Sequence, residues 1–332
     1  MKIIKYLIIL FLFHTHGISN ANDKSFNEWL TEFKTYALKN NISEKTFDLA
    51  MSDVVFLPKV IKYDRFQPEF YEDTKTYISK RSSNQKIKQG TNLYKSNESF
   101  INSIDKKFSV EKSLLLALMG IETNFGTYVG KMDILSSLAT LSFDKRRSEF
   151  FTKELITILQ LVEANKIDYN ILYGSWAGAF GNFQFMPSTI ERYAIDYDKN
   201  DVIELKSTKD SFASAANYIN KIGWKKYQPC FIRVNLTEDV PKKILNTSAK
   251  KLHNKSEFRY LRKYIKNKND IKIDDNLISS IITPDKDIIP NSENLEPAYI
   301  VFENYEKILQ WNRSLRFGLA VCTLKDKFDN VL

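Results

Sequence analysis

The run Leu114-Leu115-Leu116-Ala117-Leu118-Met119-Gly120-Ile121 constrains this chain more than any other segment. It carries no polar side chain, passes directly into Glu122, and stops at Thr123-Asn124-Phe125-Gly126. A helix that is apolar on every side belongs inside a core. Counting back from Glu122, Met119, Leu118 and Leu115 fall at i−3, i−4 and i−7, so the carboxyl shares its face with core residues. A carboxyl held against hydrocarbon resists ionising, which moves it toward the range where it can give a proton near neutral pH. Further along comes Gly174-Ser175-Trp176-Ala177-Gly178-Ala179-Phe180-Gly181-Asn182-Phe183-Gln184-Phe185-Met186-Pro187-Ser188. That run is too rich in small residues and aromatics for an ordinary helix or strand. The two features together point to a cleft served by a single acid.

The chain has 332 residues, enough for one large domain or two, with 43% hydrophobic and 27% charged residues. Its formal charge is +9, but Lys is scattered and no dense Lys/Arg run marks a nucleic-acid arm. The first segment sets the expected compartment. Met1 to Lys5 is a basic n-region, Tyr6 to Phe13 an apolar stretch too short to span a bilayer, and Ser19-Asn20-Ala21 a small-x-small cleavage pattern. Residues 1–21 therefore read as a signal peptide, and the protein as exported and periplasmic. Cleavage after Ala21 removes Lys2 and Lys5, taking the formal charge from +9 to +7. No Cys follows the apolar stretch to carry a lipid anchor, and no later stretch is long and apolar enough to span a membrane. Cys230 and Cys322 are read as two buried free thiols, although an exported chain permits a disulfide.

Helical periodicity dominates residues 22–225. Phe26, Trp29, Leu30, Phe33, Tyr36 and Ala37 share one face, and Phe150, Phe151, Leu155, Ile158, Leu159 and Val162 another. After Trp224 the pattern changes. Pro229 to Leu236 and Ala298 to Phe302 read as strands, with a Lys-, Asn- and Asp-rich stretch of weak periodicity between them. The expected organisation is thus mainly α with some β (α+β). A helical region spans 22–225, a small strand-containing subdomain spans 226–308, and a C-terminal helix over 309–332 packs back on the helical core.

Several short motifs occur in a fixed order. They are Asp64-Arg65-Phe66-Gln67-Pro68-Glu69-Phe70, Glu122-Thr123-Asn124-Phe125-Gly126, Leu138 to Arg147, the Gly174 run with Gln184-Phe185-Met186-Pro187-Ser188, Ala215-Ala216-Asn217-Tyr218, and Trp311-Asn312-Arg313-Ser314. Together they resemble the B-type lytic murein transglycosylases, over roughly residues 25–225 and 300–325. The resemblance implies a lysozyme-like helical core that cuts the MurNAc-β-1,4-GlcNAc bond of peptidoglycan without water. Glu122 would protonate the glycosidic oxygen, then take the proton from the C6 hydroxyl of the same MurNAc as that oxygen closes a 1,6-anhydro ring. Ser175 and Gln184 would bind sugar beside the cleaved bond, and Tyr77, Tyr218, Asn312, Arg146, Arg147 and Phe317 would line the cleft. Arginines there can meet peptide-stem carboxylates or a lactyl group. Trp311 and Phe317 stand where relatives carry Tyr, which keeps stacking and loses a hydroxyl. Glycan strands are the implied partner, with other cell-wall enzymes as further ones; a monomer is expected and nucleic acid is not.

Read from the residues alone, other assignments stay open. Asp133, Asp144 or Glu149 could fold near Glu122 and make the protein a two-carboxylate hydrolytic muramidase. Glu122 could instead pair with Arg146 or Arg147, and the same cleft could belong to a non-catalytic murein-binding scaffold. No cofactor is expected for catalysis. Asp196, Asp198 and Asn200 place oxygen side chains at positions 1, 3 and 5 of an EF-hand-like loop, with the Val202 carbonyl at position 7. Asp210 follows as a late acid, and the loop would suit structural calcium or sodium. Position 6 is Asp201 where glycine is usual, so this residue is expected in a left-handed conformation.

Overall fold

The computed structural model describes residues 16–66, 72–266, 268–285 and 295–332. Most of the expected signal peptide and the Gln67-Pro68-Glu69-Phe70 part of its motif lie outside the described residues. The cleavage point expected after Ala21 falls within the first helix, α1 (His16–Lys39).

The helical part continues through α2 (Glu44–Met51), α3 (Pro58–Arg65), α4 (Thr74–Arg81), α5 (Asn84–Ser96), α6 (Glu98–Phe108), α7 (Lys112–Thr123), α8 (Ile134–Phe143), α9 (Ser148–Glu163), α10 (Pro187–Tyr193) and α11 (Thr208–Lys221). Helix α7 is the central one: Ser113 to Gly120 are all buried, as an all-round apolar sequence requires. The C-terminal helix α14 (Leu315–Asp329) packs along it, and α5, α6 and α11 cover its other sides. Close approach is possible because Gly120 has no side chain. A Cβ there would lie 2.6 Å from the ring of Phe125, which folds back under the helix end.

Beyond α11 the chain forms a mixed sheet from β3 (Phe231–Val234), β4 (Leu245–Asn246), β5 (Ser256–Glu257), β6 (Ile278–Ile282) and β7 (Ala298–Phe302). The order is β3-β7-β6-β4, with β5 also on β6; β3 and β7 pair antiparallel, and β4 and β6 parallel. The sheet has a small core of its own, built around Val234, Phe258, Ile281, Ile300 and Phe302, with the short helix α12 (Phe258–Leu261) against it. A two-residue ladder earlier in the chain, β1 (Met132–Asp133) with β2 (Tyr173–Gly174), anchors the start of the glycine-rich run. Helix α13 (Glu303–Trp311) follows β7 directly and was not expected, while the expected C-terminal helix is α14, which begins just past Asn312.

The cysteines correct the sequence reading. Cys230 and Cys322 are not free thiols but a disulfide, with Cα atoms 6.1 Å apart. They lie 92 residues apart in sequence and meet because the entry to β3 lies against α14, a pairing no local pattern announces. The bond ties sheet to helical core and closes a long loop in the unfolded chain. Reducing it, or making the Cys230→Ser/Cys322→Ser variant, is therefore expected to lower unfolding free energy by about 4 kcal/mol. Guanidinium midpoints of the oxidised and reduced protein check this; equal midpoints would refute it.

Candidate active site

Glu122 occupies the last turn of α7, where the chain leaves the core. The helix ends on Asn124 and Phe125, both left-handed at φ 49° and 59°. Lys86 of α5 caps this end, donating to the Gly120 carbonyl and, at 3.0 Å, to Asn124 Oδ1, a favourable place for a cation. Half-burial pushes the Lys86 ammonium below the usual lysine range, with the charge of Arg81 adding to the effect. Glu122, Lys86, Gln89, Asn124 and the exposed Tyr128 line a cleft of about 370 Å³. Among the described residues lining it, Glu122 is the one acid.

Thr123 couples this carboxyl to the glycine-rich run. Its hydroxyl donates to the Asn182 carbonyl at 2.7 Å and accepts the Gly126 N–H at 3.0 Å. Asn182 in turn donates through its N–H to the Leu205 carbonyl and through its amide to Ser211 Oγ at the start of α11. Phe180 and Phe185 exchange backbone hydrogen bonds across a tight turn. That turn needs Gly181 at φ 78°, where a Cβ would lie 2.5 Å from Leu205. Gln184, also left-handed at φ 51°, donates its side-chain amide to the Gly181 and Val129 carbonyls, leaving Oε1 as an acceptor. Ser175 Oγ accepts the Ala177 and Ala179 N–H groups, leaving its proton to donate. Glu154 of α9, almost fully buried, accepts both the N–H and the hydroxyl of Ser188 and so fixes the first turn of α10.

Trp311 supplies a contact the sequence reading did not foresee. It was named for stacking, yet its indole N–H donates to Glu122 Oε1 at 2.9 Å. Its ring stacks on Tyr218 at 4.9 Å, and Tyr218 stacks on Tyr193 at 4.3 Å, with Phe185 edge-on to Trp311. The Tyr218 hydroxyl donates to the Gln310 carbonyl. Tyr193 carried no motif to single it out. Asn312 caps the end of α13 beside this stack.

The other expected cleft residues have these surroundings. Phe317 is 3% exposed and belongs to the main core, where its ring is packing material. Tyr77 is 2% exposed in α4, with the Arg81 guanidinium over its ring at 3.5 Å. Arg146 and Arg147 pair not with Glu122 but with Asp64, whose carboxylate is buried beneath them. Their partner lies over eighty residues upstream, at |i−j| of 82 and 83, which no local pattern links to them. The candidate second acids are also committed. Asp133 accepts the Ser136 N–H as cap of α8, Asp144 pairs with Arg65, and Glu149 pairs with Lys153 on the exposed surface.

In the candidate cation loop, carboxylate oxygens of Asp196, Asp198 and Asp210 lie within 4.8 Å of one another. Asp201 is left-handed at φ 72°, as expected of a non-glycine at that turn, and Lys199 is too at 62°. Asn200 is turned to Glu204 and to the Val202 N–H. Asp210 is fully buried at the start of α11. Burial pushes its carboxyl above the usual range against the Glu204 and Tyr197 N–H groups, and the charges of Asp198 and Asp196 push the same way. Two carboxylates converging on a buried third form a donor set that a hard cation would relieve.

These features are those of a lysozyme-like helical fold with an acid at the end of its buried central helix, and the comparisons agree on the fold. The family described as transglycosylase SLT domain matches residues 25–326, so the chain belongs to that family. It is 35% identical over 150 residues to membrane-bound lytic murein transglycosylase B of Escherichia coli (strain K12). That stretch is 45% of this chain and 42% of the relative, so the match spans under half the relative's length. The structure of SltB3 from Pseudomonas aeruginosa, solved with NAG-anhNAM-pentapeptide, is similar at TM-score 0.81 and 28% identity, over 92% of this chain and 79% of that one. The Escherichia coli transglycosylase Slt35 in complex with calcium shares the fold at TM-score 0.75 and 24% identity, over 91% and 92% of the two chains.

The aromatic stack makes a prediction about pH. Burial pushes the Tyr218 phenol up from 10.0 to about 12, with the neighbouring Tyr193 adding to the shift. Between those values the unfolded chain loses this proton before the folded one does, so its contribution is complete below pH 10 and is lost as pH rises. Tyr218→Phe is expected to flatten the fall in stability between pH 10 and 12 and to remove one late phenol from the ultraviolet titration. An unchanged titration curve would contradict the assignment.

Proposed function

We propose that this protein is an exported lytic transglycosylase that cleaves the MurNAc-β-1,4-GlcNAc bond of peptidoglycan and leaves 1,6-anhydro-MurNAc ends. The observation that carries the reading is Glu122 as the lone acid among the described residues lining its cleft. A two-carboxylate hydrolase needs a second acid roughly 5–9.5 Å away, and Asp133, Asp144 and Glu149 are held by other partners. One carboxyl suffices when the nucleophile belongs to the substrate. Protonated Glu122 gives its proton to the glycosidic oxygen as the C1–O bond breaks. The resulting carboxylate takes the proton of the C6 hydroxyl, whose oxygen bonds to C1 and closes the ring, returning Glu122 to its starting form. The Trp311 N–H on Oε1 holds the carboxyl in one orientation through both transfers. The Ser175 hydroxyl proton and Gln184 Oε1 are available to the sugar, and the partly exposed Trp311, backed by Tyr218, offers an aromatic surface of the kind sugar rings favour.

Export rests on the basic, apolar and small-residue pattern of residues 1–21. No helix among the described residues is long and apolar enough to cross a membrane.

The reaction is tested on purified murein. Wild type is expected to release muropeptides with 1,6-anhydro ends, and Glu122→Gln to lose about 10³-fold in rate. Mass spectrometry reads both; reducing MurNAc ends without the anhydro form would overturn the proposal.

The Asp196–Asp210 loop, in this reading, holds a structural calcium ion through Asp196, Asp198 and Asp210, with the Val202 carbonyl as a further oxygen ligand. The ion takes no part in the chemistry. It braces the segment between α10 and α11, on which Asn182 and hence the glycine-rich run are anchored. Calcium in large excess over its dissociation constant is expected to raise the melting midpoint by roughly 5 °C. Asp196→Asn/Asp210→Asn should abolish the rise; an equal rise in that variant, or none in wild type, would dismiss the site.

A further inference from the structure

On the side of Trp311 away from Glu122, a basin of about 480 Å³ opens between α10, α13 and the loop joining β4 to β5. Tyr193 and Tyr218 form part of its wall, and they are the first two rings of a stack that continues to Trp311, whose indole N–H donates to Glu122. The stack of rings therefore stands between the basin and the candidate active site, and the two cavities share no lining residue.

Its charge is one-sided. Arg192, Lys250, Lys251, Lys255 and Arg313 line it against a single acid, Glu306, and Lys255 takes that acid at 2.6 Å. Arg192, Arg313, Lys250 and Lys251 have no carboxylate partner among the described residues. Four uncompensated cations from three separate elements surround one concavity, where field lines concentrate and anions gather. This differs from Arg146 and Arg147, the arginines expected to meet carboxylates of the substrate, whose charge is already committed to Asp64. Lys250 and Lys251 also belong to the weakly patterned stretch on which the motif comparison placed no function.

We propose that this basin binds the free carboxylates of the peptide carried by a glycan strand whose sugars lie against Glu122 and Trp311. The proposal rests on the transglycosylase reading of Glu122. The ring stack lies between the sugars and the basin, and Arg192, Lys250, Lys251 and Arg313 receive the peptide's charge. Recognition of peptide-bearing strands is thereby separated from the chemistry by the thickness of the ring stack.

The test measures binding to the Glu122→Gln protein at low salt, with three probes: a murein disaccharide bearing its peptide, the same disaccharide without the peptide, and the peptide form with its carboxylates amidated. The peptide is expected to strengthen binding about tenfold, and the gain should vanish on amidation and shrink with added salt. Adding Lys250→Glu/Lys251→Glu should reduce the ratio of peptide-bearing to peptide-free affinity by about fivefold. Both residues are exposed, so the variant keeps its packing. Equal binding of peptide-bearing and peptide-free disaccharide, or a peptide gain that survives charge reversal, would overturn the basin alone. Binding of neither disaccharide would overturn the transglycosylase reading and the basin with it.

Discussion

The hydroxyl of Thr123 joins the two parts from which the candidate site is built. It lies one residue past Glu122, donates to the Asn182 carbonyl, and accepts the N–H of Gly126. Both partners are backbone groups at strained or tight positions, and both would otherwise be left without satisfaction beside the core. Through this side chain the end of the buried central helix is locked to a glycine-rich turn whose Phe180, Phe183 and Phe185 rings are themselves in the core. The position of Glu122 relative to Ser175 and Gln184 is consequently set by the core of the molecule. A catalytic carboxyl benefits from such a mounting, since small displacements cost rate steeply.

The same device recurs wherever irregular backbone meets a helix. Glu154 fixes the start of α10, and Glu111 takes the Trp224 indole N–H and the Tyr227 N–H. Asn304 ties 225–228 to α13. Asp285 receives the N-terminus of α4 and the Arg316 guanidinium of α14. Each is a buried polar group whose bonds are made to a distant segment, so removing one partner strands the other. These contacts, with the Cys230–Cys322 bond, tie the sheet and the helical part into one support for the cleft.

What could be read from sequence follows this division. Helix α7 was legible because apolar composition alone decides its place, and β3 and β7 because their branched and aromatic residues bound each run. Strand β6 was hidden: Ser279 and Ser280 interrupt its apolar pattern, yet both are buried. Helix α13 was missed because it begins on Phe302 with no side-chain cap, whereas Ser314 caps α14 openly. Motif order singled out Glu122, Ser175, Gln184 and Tyr218 as candidates, but it could not tell a ring facing a cleft from one in the core. That is why Phe317 was expected in the site and lies buried. The partners of Arg146, Arg147 and Cys230 are set by folding over long sequence distances, and no period or spacing records them.

Trp311 connects the mounting to the chemistry. An indole donates one hydrogen bond and accepts none, so a tryptophan against Glu122 constrains the carboxyl without competing for its proton. A tyrosine at the same point could donate, accept or turn away. The bicyclic ring also extends the stack that Tyr218 and Tyr193 continue, which lengthens the aromatic wall leading from the acid toward the basic basin. One residue at the end of α13 thus serves two ends: its edge orients the acid, and its face continues the ring stack. The indole leaves Glu122 as the one acid among the described residues lining its cleft, with an oriented donor beside it.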